Sequence, residues 1–176
     1  LYVTNWAAAI STPANALFKN NGDSTFTNVT TLAGVTNTGN SVAAAWGDYD
    51  SDGFEDLYVS NLDGPNRLYH NNGDGTFTDI AESAGVADGF RKSMQILVAD
   101  FNNDNRPDIL VGNDTDPNGL YLNRGDGTFK EFSGPSGLSS TDGSMGIAWG
   151  DYNNDQMMDL YISNYTGEAD LLLTMI

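Results

Sequence analysis

"SVAAAWGDYDSDGFEDLYVSN", residues 41–61, sets four aspartates, Asp48, Asp50, Asp52 and Asp56, into nine residues between two apolar runs. Like charges that close repel, so the crowding requires a compensating feature. The same arrangement returns as "SMQILVADFNNDNRPDILVGN" at 93–113 and "SMGIAWGDYNNDQMMDLYISN" at 144–164, at offsets of 52 and 51 residues. A second stretch repeats with it: "NNGDSTF" (20–26), "NNGDGTF" (71–77) and "NRGDGTF" (123–129). Self-similarity at a fixed period marks a repeat architecture. The chain divides into units at about 1–40, 41–92, 93–143 and 144–176, the first and last incomplete, within one region spanning 1–176.

Each unit reads as four short strands. The first, "AAAWG" or "ILVA", is apolar on both faces and is expected to be buried on both. The acidic loop follows, then a second strand such as "DLYVSN". A third, "RLYHN" or "LYLN", runs into Asn-Gly or Asp-Gly, the strongest short signal for a hairpin turn. "TFTDIA" or "TFKEF" closes the unit. No segment keeps apolar residues at i, i+3, i+4 and i+7, so helices are not expected. Four strands in roughly 50 residues predict an all-β fold of four-stranded antiparallel propeller blades, about three and a half of them. An open solenoid of stacked hairpins is the structural alternative.

In register, the loops place Asp48, Asp50, Asp52, Asp56, then Asp100, Asn102, Asp104, Asp108, then Asp151, Asn153, Asp155, Asp159 at positions 1, 3, 5 and 9. Alternate side chains of a tight loop converge on one point, and position 9 swings back as the next strand begins. The position-7 carbonyl (Phe54, Arg106, Met157) can complete the shell. Such a set of hard oxygens suits Ca²⁺, about three ions per chain, better than Mg²⁺ with its strict octahedral geometry. Solvated acidic turns are the competing reading, since Asp and Asn favour turns; three loops in register weigh against it. An EF-hand would need a Glu at loop position 12 and flanking helices. The first loop, with four aspartates and Gly53, is expected to bind tightest, the second with Asn105 next, and the third with Gln156 last.

The pattern "DxDxDGxxD" before an apolar strand, with "AESAGV" (81–86), "TTLAGV" (30–35) and "NxGDGTF", resembles the FG-GAP or VCBS repeat of integrin α-subunit propellers and many secreted bacterial proteins. The resemblance covers essentially the whole chain. It implies four-stranded blades, usually seven to a ring, and Ca²⁺ loops between the first two strands. It also implies an extracellular, secreted or cell-surface setting and a role in adhesion, recognition or assembly. Gln156 departs from the pattern at a position expected to need positive φ.

A formal charge of −17, from 24 acidic and 7 basic residues, argues against nucleic-acid partners. No apolar run reaches the roughly 20 residues that span a bilayer, so membrane insertion is not expected. Without cysteine, disulfides and thiolate zinc sites are excluded.

His70 is the only histidine, and Lys19 and Leu122 take its place in neighbouring units, so it reads as an ordinary third-strand residue. No nucleophile–base set assembles without it, and no enzyme is expected. "RGD" at 124–126 reads as a hairpin turn, because Gly125 and Asp126 match Gly73 and Asp74. Trp46 and Trp149, where the middle unit has Val98, read as core. Trp6 and Tyr165 follow second strands in blade loops and are the candidate ligand contacts.

The partner is expected to be a protein or glycan, or another copy joined through open blade edges. Carbohydrate-active alternatives are a lectin or a Ca²⁺-dependent polysaccharide lyase. A lyase needs clustered basic residues, whereas only Arg91–Lys92 are adjacent; a lectin needs a repeated aromatic, whereas positions 6, 62, 114 and 165 read Trp, Leu, Asp and Tyr. Because the sequence opens at a second strand and stops at a third, it is expected to be part of a longer chain or a subunit completed by neighbours.

Overall fold

The structure, a computed structural model, describes residues 1–5, 14–165 and 167–174. The described residues are all-β in class, built of four antiparallel sheets in chain order that close into no barrel among themselves. The first comprises β1 (Tyr2–Val3), β2 (Ala16–Asn20) and β3 (Phe26–Asn28). The second is a four-stranded blade of β4 (Ser41–Gly47), β5 (Asp56–Asn61), β6 (Arg67–Asn71) and β7 (Phe77–Asp79). The third repeats it with β8 (Ser93–Ala99), β9 (Asp108–Asn113), β10 (Gly119–Asn123) and β11 (Phe129–Glu131). The fourth has β12 (Ser144–Gly150), β13 (Asp159–Asn164) and β14 (Leu171–Leu173). Each strand pairs with the next, as in a propeller blade.

The blades stack through alternate residues of their second strands. Side chains of a strand point to opposite faces in turn, so one strand can serve two interfaces. From β5, Leu57 and Val59 pack with Tyr2, Leu17 and Val35 of the first blade. Tyr58, with Leu68 opposite it on β6, packs instead with Ile109, Val111 and Tyr121 of the third. Leu110 and Leu120, the matching pair of the third blade, meet Leu160 and Ile162 of the fourth. The fourth blade carries the same pair, Tyr161 opposite Leu172, and there it stays 41% and 48% exposed.

Two expectations are corrected. The first strands β4, β8 and β12 are not buried on both faces; nearly all their residues are partly exposed. The strand covered on both sides is the second, buried throughout in β5 and β9. It lies inside its own sheet and between two neighbouring blades, whereas the first strand sits at the sheet's edge.

Two one-turn helices also appear, α1 (Thr30–Ala33) and α2 (Ala81–Ala84), where none was expected. They are too short for a helical period to register. What stops them is legible: Gly34 and Gly85 take φ of 77° and 79°, the left-handed cap that glycine adopts at no steric cost. The next residues, Val35 and Val86, bond back to Thr30 O and Ala81 O and are fully buried.

Removing the same leucine methyls in two blades tests this stacking. Leu120→Ala should cost about 3 kcal/mol, as a buried side chain does, and Leu172→Ala less than about 1. Urea melts giving equal losses would contradict the stacking order.

Candidate metal centre

The three acidic loops share one backbone design. Positions 4 and 6 both take left-handed φ: Ser51 60° and Gly53 88°, Asn103 57° and Asn105 65°, Asn154 61° and Gln156 73°. The position-6 requirement is the one anticipated from Gly53; the position-4 requirement was not, because Ser and Asn give only a weak sign of it. These turns aim backbone N–H groups at the carboxylates. The amide of position 5 bonds to position 1, as Asp52 N to Asp48 Oδ1 at 3.1 Å, Asp104 N to Asp100 Oδ1 at 3.1 Å and Asp155 N to Asp151 Oδ1 at 3.1 Å. The amide of position 6 takes the second oxygen of position 1, from Gly53, Asn105 and Gln156. The amide of position 7 takes position 5, from Phe54, Arg106 and Met157. Positions 1, 3 and 5 are thereby turned inward together.

In the first loop Asp48, Asp50 and Asp52 each offer a carboxylate oxygen within 4.8 Å of the others. Such a cage can hold a hard divalent cation. The other two loops place Asn102 and Asn153 at position 3 and answer part of their charge internally. Arg106 folds its guanidinium onto Asp104 Oδ2, and its Nε donates to Asn123 O at 3.1 Å. Asn153 Nδ2 donates to Asp155 Oδ2 at 2.8 Å.

The ninth residue is set apart. Asp56, Asp108 and Asp159 are buried, while positions 1, 3 and 5 are partly or fully exposed. Asp56 Oδ2 accepts the amide of Tyr49 at 3.1 Å and Oδ1 that of Asn71 at 2.8 Å. Asp108 does the same with Phe101 at 2.9 Å and Asn123 at 2.7 Å. Asp159 accepts Tyr152 N at 3.1 Å, and the residue matching Asn71, position 175, lies outside the described residues. The buried carboxylate thus ties the loop to the end of the third strand. Burial pushes Asp56 up to about 6 against those two amides, with Asp50 adding to the rise. Burial likewise takes Asp108 up to about 6, with Asp104 and Asp100 adding to it.

Two features beside the loops escaped the sequence reading. The position-2 aromatic is a plug between blades: Tyr49 packs against Phe129 of the next blade, and Phe101 sits edge-on to Trp149 at 4.6 Å. Asn123 Nδ2 bonds Tyr49 O at 2.7 Å, joining one blade's hairpin to its neighbour's loop. The aromatic-after-Asp spacing of "DY", "DF" and "DY" was the available sign. The position-7 side chain lies over the following hairpin, where a Cβ on Gly73 would come within 2.9 Å of the Phe54 ring.

Of the other candidates, Tyr165 is exposed, and Trp6 lies outside the described residues. Trp149 packs in the core while Trp46 is half exposed against Phe77. Arg124–Gly125–Asp126 lies in a hairpin turn closed by Arg124 N to Thr128 O. Asp126 is held below the usual carboxylate range by the Thr128 hydroxyl and amide. No helix among the described residues is long and apolar enough to cross a membrane.

The metal-free chain has a distinctive pH response. Asp56 and Asp108 titrate higher folded than unfolded, so ionising them weakens the fold as pH rises from about 4 to 6. In chelator the melting temperature should therefore be higher at pH 5 than at pH 7. A lower value at pH 5 in chelator would contradict this. Gln156→Gly should also raise stability by about 1 kcal/mol, by relieving a left-handed φ, as read in chelator by thermal melting.

The FG-GAP-like repeat profile matches residues 4–59, 48–111 and 100–162, overlapping spans that each end just past an acidic loop, the second and third also beginning at one. Cartilage acidic protein 1 of Homo sapiens is 38% identical over 112 residues, and that of Mus musculus 37% over 112. The Xenopus tropicalis protein of that name is 35% identical over 117 residues. Each match covers 62% of this chain and 17% of the relative, so the chain spans about a sixth of the curated relatives it matches. These are matches to a structural repeat rather than to an enzyme. The chain belongs to the FG-GAP-like repeat family.

Proposed function

We propose that this chain is a Ca²⁺-stabilised blade module that works outside the cell in recognition or assembly. The observation that carries the reading is the common geometry of the three loops, in which six left-handed residues turn oxygen-bearing side chains inward. A turn made only for solvent would not need aspartates converging within 4.8 Å, nor a ninth carboxylate that burial drives toward its neutral form. A divalent cation offsets both. Asp48, Asp50, Asp52 and Asp56 would hold the first ion with the Phe54 carbonyl; Asp100, Asn102, Asp104, Asp108 and the Arg106 carbonyl the second; Asp151, Asn153, Asp155, Asp159 and the Met157 carbonyl the third.

Exposed loops with one ligand reduced to an amide are weak sites, suited to the millimolar Ca²⁺ of extracellular modules. That supports a secreted or surface setting, and the relatives' name, cartilage acidic protein, fits a chain of charge −17. The bare Tyr161–Leu172 face is where recognition would occur. Its counterparts are each covered by another blade, so a further blade, from the rest of a longer chain or a second copy, is the occupant the pattern favours.

Chelation should lower the melting temperature, and Ca²⁺ should restore it where Mg²⁺ does not. Each filled site adds about 2.7 kcal/mol at a hundredfold excess over its Kd. Asp52→Ala should lose more of the Ca²⁺ effect than Asp155→Ala, because the first loop faces neither the Arg106 cation nor the strain at Gln156. A melting curve indifferent to chelator would overturn the calcium reading. Light scattering in Ca²⁺ should show association that Leu172→Asp abolishes; a monomer unaffected by that change would overturn the stacking role.

A further inference from the structure

The first loop differs from the others by a nitrogen. His70, on β6, brings its Nδ1 to 3.3 Å from Asp50 Oδ2 and 3.3 Å from Asp56 Oδ1. The Nδ1 atom is buried from solvent and has no hydrogen-bond partner. The ring is held edge-on to Tyr49, with centroids 6.0 Å apart at 77°. The next residue, Asn71, pins the strand to the loop through its amide on Asp56 and its side chain on Glu55 O. Nδ1 thus faces two carboxylate oxygens without making a hydrogen bond to either, an arrangement that a cation held between the three atoms would satisfy.

We infer that His70 Nδ1, Asp50 and Asp56 form a mixed nitrogen–oxygen site for a borderline divalent cation of the zinc class. Metal–ligand bonds of about 2.1 Å set neighbouring ligands of a tetrahedron about 3.4 Å apart, close to both N···O separations seen here. Ca²⁺ prefers oxygen, while imidazole with carboxylates suits zinc and related metals. Asp50 is the hinge between the two chemistries. Its Oδ1 accepts the Asp52 amide on the loop side, and its Oδ2 faces His70. Asp56 keeps a lone pair on Oδ1 beyond the one that accepts Asn71 N, and a water would supply the fourth ligand. The second loop has no such site, because Leu122 stands where His70 does. This inference rests on the first loop being a cation site, and it adds a second metal class to that loop.

His70 is the only histidine, so its imidazole proton resonances report this site alone. Adding one equivalent of ZnCl₂ to the metal-stripped chain should shift them, and calorimetry should show a Zn²⁺ site at least tenfold tighter than in His70→Leu. Leucine occupies this place in the neighbouring blade, so the variant is expected to fold, and the resonance shift needs no variant. Ca²⁺ titrations of both proteins should agree within about threefold. Resonances unmoved by Zn²⁺, or equal Zn²⁺ binding by the variant, would overturn the inference while leaving Ca²⁺ stabilisation standing. A Zn²⁺ shift at His70 without any Ca²⁺ effect would uphold it and overturn the calcium reading.

Discussion

A buried aspartate accepting two backbone amides is the contact on which each blade turns. Asp56 joins the start of its loop, through Tyr49 N, to the end of the third strand, through Asn71 N. Asp108 repeats the tie with Phe101 and Asn123. Hydrogen bonds to a charged acceptor contribute roughly 1.5–3 kcal/mol each, but burial makes the charge itself costly to keep. The outer carboxylates of the loop add repulsion. The two amides favour the ionised carboxylate, but burial and the neighbouring carboxylates outweigh them. Without a compensating charge the fold is therefore most stable with the aspartate protonated, and the outer carboxylates and the buried one belong to one electrostatic unit.

That unit reaches the blade interfaces through the residue between positions 1 and 3. Tyr49 and Phe101 follow the first aspartate of their loops and fill the space against the next blade. Asn123 reaches back to Tyr49 O, so the third blade's hairpin reads the position of the second blade's loop. Whatever fixes the loop fixes the blade-to-blade contact. At the fourth blade the matching Tyr152 is exposed, in step with the bare face at Tyr161 and Leu172.

Much of this was legible because the repeat is strict. A 51- or 52-residue offset aligned the strands, the hairpins and the loops, and the Gly53–Asn105–Gln156 column marked a left-handed position that all three residues adopt. What escaped was long-range. His70 looked ordinary because Lys19 and Leu122 replace it, and only the fold shows it facing Asp50 and Asp56. The first strands looked fully buried from their apolar residues, but burial follows place in the sheet, and the second strand holds the covered place. The one-turn helices were too brief for periodicity to register, though their capping glycines were in plain view.

The central claim is that each acidic loop is a cation cage coupled to its buried ninth aspartate. Counting bound Ca²⁺ per chain by calorimetry tests it most directly, on the wild type and on Asp48→Ala. Three saturable sites per chain, falling to two in the variant, are the result predicted. No saturable binding at millimolar Ca²⁺, or a stoichiometry unchanged by Asp48→Ala, would contradict it.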